Sequence, residues 1–285
     1  MDKEILKEEL GISNDVKSLV SRIKNIISDN FAKNYQDNNK YYALNKEFPY
    51  KVFHGDLTTK WKDIELHLIY YVMPDNDETV VRYYLKKFNS ASNNEKHEIT
   101  LYLVGHGNKI IWNNSNRTIQ HEVEHLFQLY KKGKSLLTPK QNQRYQDLLP
   151  LTRSTDYYDK IIGFTYYYYN RVEKNALING IYGEIMGNYL PGYNLNPLEE
   201  IKKTSVYSNI KAIKKVIETE SDLLSLIDRL SLINKDIKSY LRIANTVVNE
   251  YTKSFGRLLY LLKKDIADVN KDKLINLDNV NIENE

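Results

Sequence analysis

The chain contains no cysteine, which removes disulfide frameworks, thiolate nucleophiles and cysteine-built zinc knuckles together. Any metal site must therefore be made of histidine and carboxylate. No uninterrupted apolar run reaches the ~18 residues needed to cross a bilayer; even the richest segment, Ile161 to Tyr169, ends in four tyrosines. The first residues, MDKEILKEEL, carry no apolar signal-peptide core, so a cytoplasmic protein without a membrane partner is expected. Excess charge is also small. Lys and Arg number 41 against 37 Asp and Glu, a net charge of +4, too little for a chain that coats nucleic acid. The phosphate-cradling patterns GxxxxGK and GxGxxG are missing, as is the GxSxG nucleophile elbow, and there is no internal repeat.

What is present describes a folded chain. At 285 residues and 41% hydrophobic composition, the sequence can bury one large core or two modest ones. Val16, Leu19, Val20, Ile23, Ile26 and Ile27 follow helical spacing behind Asn14 and Asp15, predicting a first helix over 14–29. Segments 50–53, 64–73 and 99–104 are rich in β-branched and aromatic residues, predicting strands. A short helix is expected over 80–88, and a fourth strand over 109–112, hairpin-paired with the third. Two further helices follow, from Ser115 or Asn116 to about 131 and from about 156 to 186, with Pro139 and Pro150 confined to the connection. The fold class is thus α+β.

Beyond 187–197, a turn-rich stretch, the pattern is helical throughout and free of proline. The expected division is a domain over 1–190, a linker at 191–197, a helical region over 198–268 and a disordered tail over 269–285. Ile237, Leu241, Ala244, Val248, Tyr251, Phe255, Leu258 and Leu262 alternate spacings of four and three, a helix that buries one seam. That seam serves either a helix hairpin with 223–233 or oligomerisation and partner docking through 237–262.

The chemistry concentrates at His121-Glu122-Val123-Glu124-His125, an HExxH inside the predicted helix TIQHEVEHLFQLYKK. Residues i and i+4 share a helix face, so both imidazoles can point at one cation while Glu122 stands where it can take a proton from water. Ile119, Val123, Leu126 and Tyr130 form an apolar stripe on the opposite side. Two imidazoles leave a tetrahedral zinc short of one protein ligand. Glu173, on the helix of YYYYNRVEKNALINGIYGEI, can supply it, beside the small residues Ala176 and Gly180; Glu184, Asp156 and Asp159 are the other candidates.

HExxH followed on a later helix by Glu-x-x-Ala resembles the Glu-ligand zincins, in particular the compact HExxH…ExxA metallopeptidases of bacteria and their phages, some of which cleave repressors. The resemblance covers roughly residues 99–186. It implies a zincin-like domain with a small, mostly antiparallel sheet and an active-site helix. It also implies one Zn2+ per chain held by His121, His125 and Glu173, with Glu122 as general base. The implied activity is hydrolysis of a peptide bond in a protein or peptide substrate: zinc lowers the pKa of its bound water from 15.7 toward about 7, and Glu122 takes that proton and later delivers it to the leaving amine. Tyr169 or Tyr166 would stabilise the oxyanion, and strand 99–104 or 109–112 would pair with an extended substrate. The alternative is a non-catalytic structural or interaction protein, for instance in a phage particle, that makes its contacts through the C-terminal helices.

Overall fold

A computed structural model describes residues 3–10, 12–93, 96–113, 115–132, 139–190 and 193–282. The chain is α+β and divides into two compact units, Ile12–Lys134 and Met1–Gly11 with Ser135–Glu285. The compositional break at 187–197 lies inside the second of these, because the helices after it return to pack on those before it. Helix α1 (Lys3–Leu10) opens the chain and belongs to that same unit.

The unit Ile12–Lys134 is built on one mixed sheet. Helix α2 (Asn14–Asn34) begins at Ser13, whose Oγ accepts from the Val16 amide at 3.2 Å, and is followed by β1 (Tyr41–Asn45), β2 (Phe48–Trp61) and β3 (Ile64–Pro74). Next come α3 (Glu78–Lys87), β4 (Ala91–Asn93), β5 (Glu98–His106), β6 (Lys109–Ile110) and α4 (Asn116–Lys132). The strand order is β1-β2-β3-β5-β4, with β6 also on β5. Only the β3–β5 pairing is parallel, as a connection through α3 requires. On one face Leu66, Leu68, Tyr70 and Val72 of β3 alternate inward with Ile99, Leu101 and Leu103 of β5, against the apolar stripes of α2 and α4. On the other, α3 packs Val81 and Tyr84 against Phe48, Val52, Met73 and Val104.

Several details differ from the sequence reading. Helix α2 runs five residues past the expected end at 29, carrying Phe31 into the core. The expected strand at 50–53 belongs to a fourteen-residue strand, whose polar second half is hidden by Gly55 and Asp56, residues that strands otherwise disfavour. Strand β5 is not an open edge for a substrate: β3 takes one side, and β4 and β6 take the ends of the other. Between them the Tyr102 amide donates to Ser90 Oγ at 3.1 Å and Val104 accepts from the Ile111 amide at 2.8 Å. Strand β6 itself ends at Ile110 rather than 112.

The other unit is helical among its described residues. The stretch expected as a connection holds α5 (Pro139–Leu148) and a 3-10 turn, Leu149–Arg153. Proline at the first helical position costs nothing, since its missing N–H has no intrahelical partner there. The helix expected over 156–186 is two, α6 (Tyr157–Tyr169) and α7 (Arg171–Asn188). Then follow α8 (Pro197–Lys203), α9 (Ser205–Glu218), α10 (Glu220–Leu232) and α11 (Ile237–Ile282). The backbone is helical to Ile282, so the stretch expected as a disordered tail from 269 continues α11; residues 283–285, like Pro191 and Gly192 of the expected linker, lie outside the described residues.

The seam of α11 is buried at Ala244, Val248, Tyr251, Phe255, Leu258 and Leu262, and widened by Tyr240, Ile243, Val247 and Leu261. A stripe this broad belongs to a helix surrounded by several others rather than to a two-helix seam. Its neighbours are chiefly α9, α6, α7 and α1, whereas the 223–233 segment packs as α10 on α9 and α6. Among the described residues no helix is long and apolar enough to cross a membrane.

One close approach in the sheet is a direct test of this packing. A Cβ on Gly55 would lie 2.1 Å from the ring of Tyr70, which is fully buried and donates to Asn30 Oδ1 at 2.7 Å. Gly55→Ala is expected to lower the unfolding free energy by about 1–3 kcal/mol, the usual cost of overpacking, as measured by urea denaturation.

Candidate metal centre

The HExxH helix is fixed at its start by α2. Trp112 Nε1 donates to Ser28 Oγ at 3.0 Å, and Lys24 Nζ donates to Asn116 Oδ1 while lying 5.5 Å from the centre of the Trp112 ring. Burial pushes the Lys24 amine below its usual range. From there Ile119, Val123, Leu126 and Phe127 go into the core; the side chain of Tyr130, the fourth member of the expected stripe, lies outside the described residues. The rest of the helix is less open than an amphipathic pattern implies. Gln120, Glu122, Glu124 and Gln128 are all buried, and Gln128 Nε2 donates to Glu124 Oε1 at 3.0 Å. Between Ile119 and Gln128 only His121 and His125 are half-exposed.

The two imidazoles face each other. Their Nε2 atoms are 3.0 Å apart, with ring centres at 4.5 Å and planes at 87°. Two lone pairs at that distance repel and two N–H groups clash, so the gap holds either one proton or one cation. Ligand atoms at 2.0–2.1 Å from a tetrahedral ion would stand about 3.3 Å apart, close to what the pair already has.

Glu173 completes the group. It is the third residue of α7, whose N-cap is Asn170, with Oδ1 accepting from the Val172 amide at 3.0 Å. A carboxylate in the first turn is favoured by the helix dipole. The ligand atoms of His121, His125 and Glu173 all lie within 4.8 Å of one another, each residue half-buried, and this is the one such group among the described residues. The other candidates for third ligand are not in it. Asp156 caps α6 by accepting from the Tyr158 and Asp159 amides and pairs with Arg229, which holds its carboxyl below the usual range. Asp159 accepts from Ser154 Oγ at 3.1 Å. Of the two neighbours that could claim Glu173 as an ordinary helix-surface ion pair, Lys174 reaches Glu250 at 2.9 Å, and the side chain of Arg171 lies outside the described residues.

No family model, curated protein or solved structure matches the chain.

The phenols at the site are not those expected. The spacing that set Tyr166 and Tyr169 beside Glu173 assumed one continuous helix, but α6 stops at Tyr169 and a new helix begins after Asn170. Tyr169 is 49% exposed, and Tyr166 is buried with its ring edge on Tyr240. One phenol that bonds Glu173 is Tyr145 of α5, whose hydroxyl donates to Oε1 at 3.2 Å; the ring of Tyr167 of α6 stacks on that of Tyr145, with centres 6.1 Å apart. Burial, first, and then the charge of Glu173 push the Tyr167 phenol well above its ordinary value.

Since Asn170 sets where α7 begins, Asn170→Ala should lower stability by about 1 kcal/mol, the typical worth of an N-cap, while Asn170→Asp retains it. Thermal unfolding of the two variants side by side measures the difference.

Proposed function

We propose that this chain is a zinc-dependent peptidase whose metal ligands are His121, His125 and Glu173. The observation that carries the reading is the convergence of these three ligand atoms, in which two imidazoles from one turn of α4 meet a carboxylate from α7. The donor set fits the ion: two nitrogens and one oxygen are what catalytic zinc sites use when a fourth position is left for water or substrate. Imidazole and carboxylate also accept neighbouring divalent metals, and zinc is the ion proposed.

When bound, zinc brings the pKa of water from 15.7 to about 7 and polarises a carbonyl oxygen. The chain's own part is proton transfer and exclusion of solvent. Glu122, adjacent to His121 and 8% exposed, is the general base that receives a proton on its carboxylate and returns it to the departing amine. Its burial strengthens the pull on that proton and keeps bulk water from competing. The substrate is a protein or peptide. Because both flanks of β5 are engaged, the substrate is not proposed to add a strand there.

Purified protein expressed with zinc supplied is expected to hold about one zinc per chain. Glu122→Gln should keep the metal and lose peptide hydrolysis by about 10²–10⁴-fold, and His121→Ala should lose both. Elemental analysis alongside cleavage of a mixed peptide pool gives the answer; zinc-free wild type, or a Glu122→Gln variant as active as wild type, contradicts the reading.

A further inference from the structure

The surroundings of Glu173 are unusual for a half-buried glutamate. Its hydrogen-bond donors include a neutral phenol, Tyr145, 3.2 Å from Oε1, whose ring stacks with that of Tyr167, the centres 6.1 Å apart and the planes at 26°. The tyrosines come from two helices, α5 and α6, that precede the one carrying the carboxylate. Lys174 is drawn off to Glu250 on α11. A third phenol, Tyr251 of α11, is fully buried and its hydroxyl has no hydrogen-bond partner. Its pKa is raised well above normal by burial, then by Tyr168 and the charge of Glu173.

The chemistry of the donors matters. An ammonium or guanidinium on Glu173 would fix it equally well but would neutralise the charge a cation seeks. A phenol fixes the carboxylate and leaves its charge intact. A carboxylate offers about four lone-pair sites on two oxygens, so a phenol bond restrains its rotation without occupying them all. Partners of this kind behind a ligand are what orient it and set its affinity.

We infer that Tyr145, its ring stacked on Tyr167, is a positioning residue that holds Glu173 in the orientation from which it ligates a divalent cation with His121 and His125. This rests on the metal centre proposed above. Tyr145 need not touch metal or substrate; it acts through the carboxylate. Tyr251, close to Glu173 but not bonded to it, is the internal control.

The test uses the full chain. Zinc affinity is measured by competition with a chromophoric chelator, and Co2+ is added separately so that its visible absorption bands report coordination geometry. Tyr145→Phe should weaken zinc on the order of tenfold, with altered Co2+ bands. In a Glu173→Ala background the same substitution should change nothing, because its effect passes through that carboxylate. Tyr251→Phe should leave affinity unchanged in both backgrounds. Wild type that binds zinc while Tyr145→Phe binds equally well overturns this inference and spares the metal centre. Equal losses with and without Glu173 also overturn it. Wild type that binds no metal overturns both together.

Discussion

The account turns on two imidazole nitrogens 3.0 Å apart on consecutive turns of one helix. Left alone, that approach is tolerable only with a proton shared between the rings; with a cation it becomes a pair of ligands. Much of the unit Ile12–Lys134 serves to hold the helix that makes it. The apolar stripe of α4 is anchored on the sheet and on α2. The bonds from Trp112 to Ser28 and from Lys24 to Asn116 set where its first turn begins, and the HExxH pentapeptide follows one turn later. Neighbouring polar groups on the same helix are buried and hydrogen-bonded, as Glu124 is to Gln128, which stiffens the helix around its half-exposed histidines.

The carboxylate is prepared differently. A glutamate in the interior of a helix would normally settle its charge with a lysine one turn away. Here Lys174 reaches Glu250, and the first turn of α7 adds the partial positive charge of its dipole. Tyr145 donates a hydrogen bond to Oε1, which restrains the carboxylate's rotation.

How much of this was legible depended on how local the signal was. The HExxH face could be read directly, since i and i+4 coincide on any helix, and so could the choice of Glu173, by its resemblance to ExxA and its place on a later helix. The strands of the core followed from their β-branched and aromatic residues. The break at Asn170 was missed although it was written in the chain: Asn170 with Glu173 three residues on is an N-terminal signature, hidden inside a run of apolar and aromatic residues that reads as one long helix. Missing it shifted the phase of every upstream residue, which is why Tyr166 and Tyr169 were expected where Tyr167 stands. Tyr145 was invisible for another reason, because α5 is polar and begins at a proline, and nothing short of tertiary packing says that its one tyrosine faces Glu173. The seam of α11 illustrates the same limit: its spacing announced burial, but the identity of the covering helices came only from the fold.

The most direct test of the central claim is the position of the ion itself. A crystal of the zinc-loaded protein, with data collected on both sides of the zinc absorption edge, locates the metal without reference to the protein. The account predicts a single anomalous peak about 2.0–2.2 Å from His121 Nε2, His125 Nε2 and one oxygen of Glu173. A peak bound elsewhere, or zinc held by the two histidines with Glu173 turned away, would contradict it.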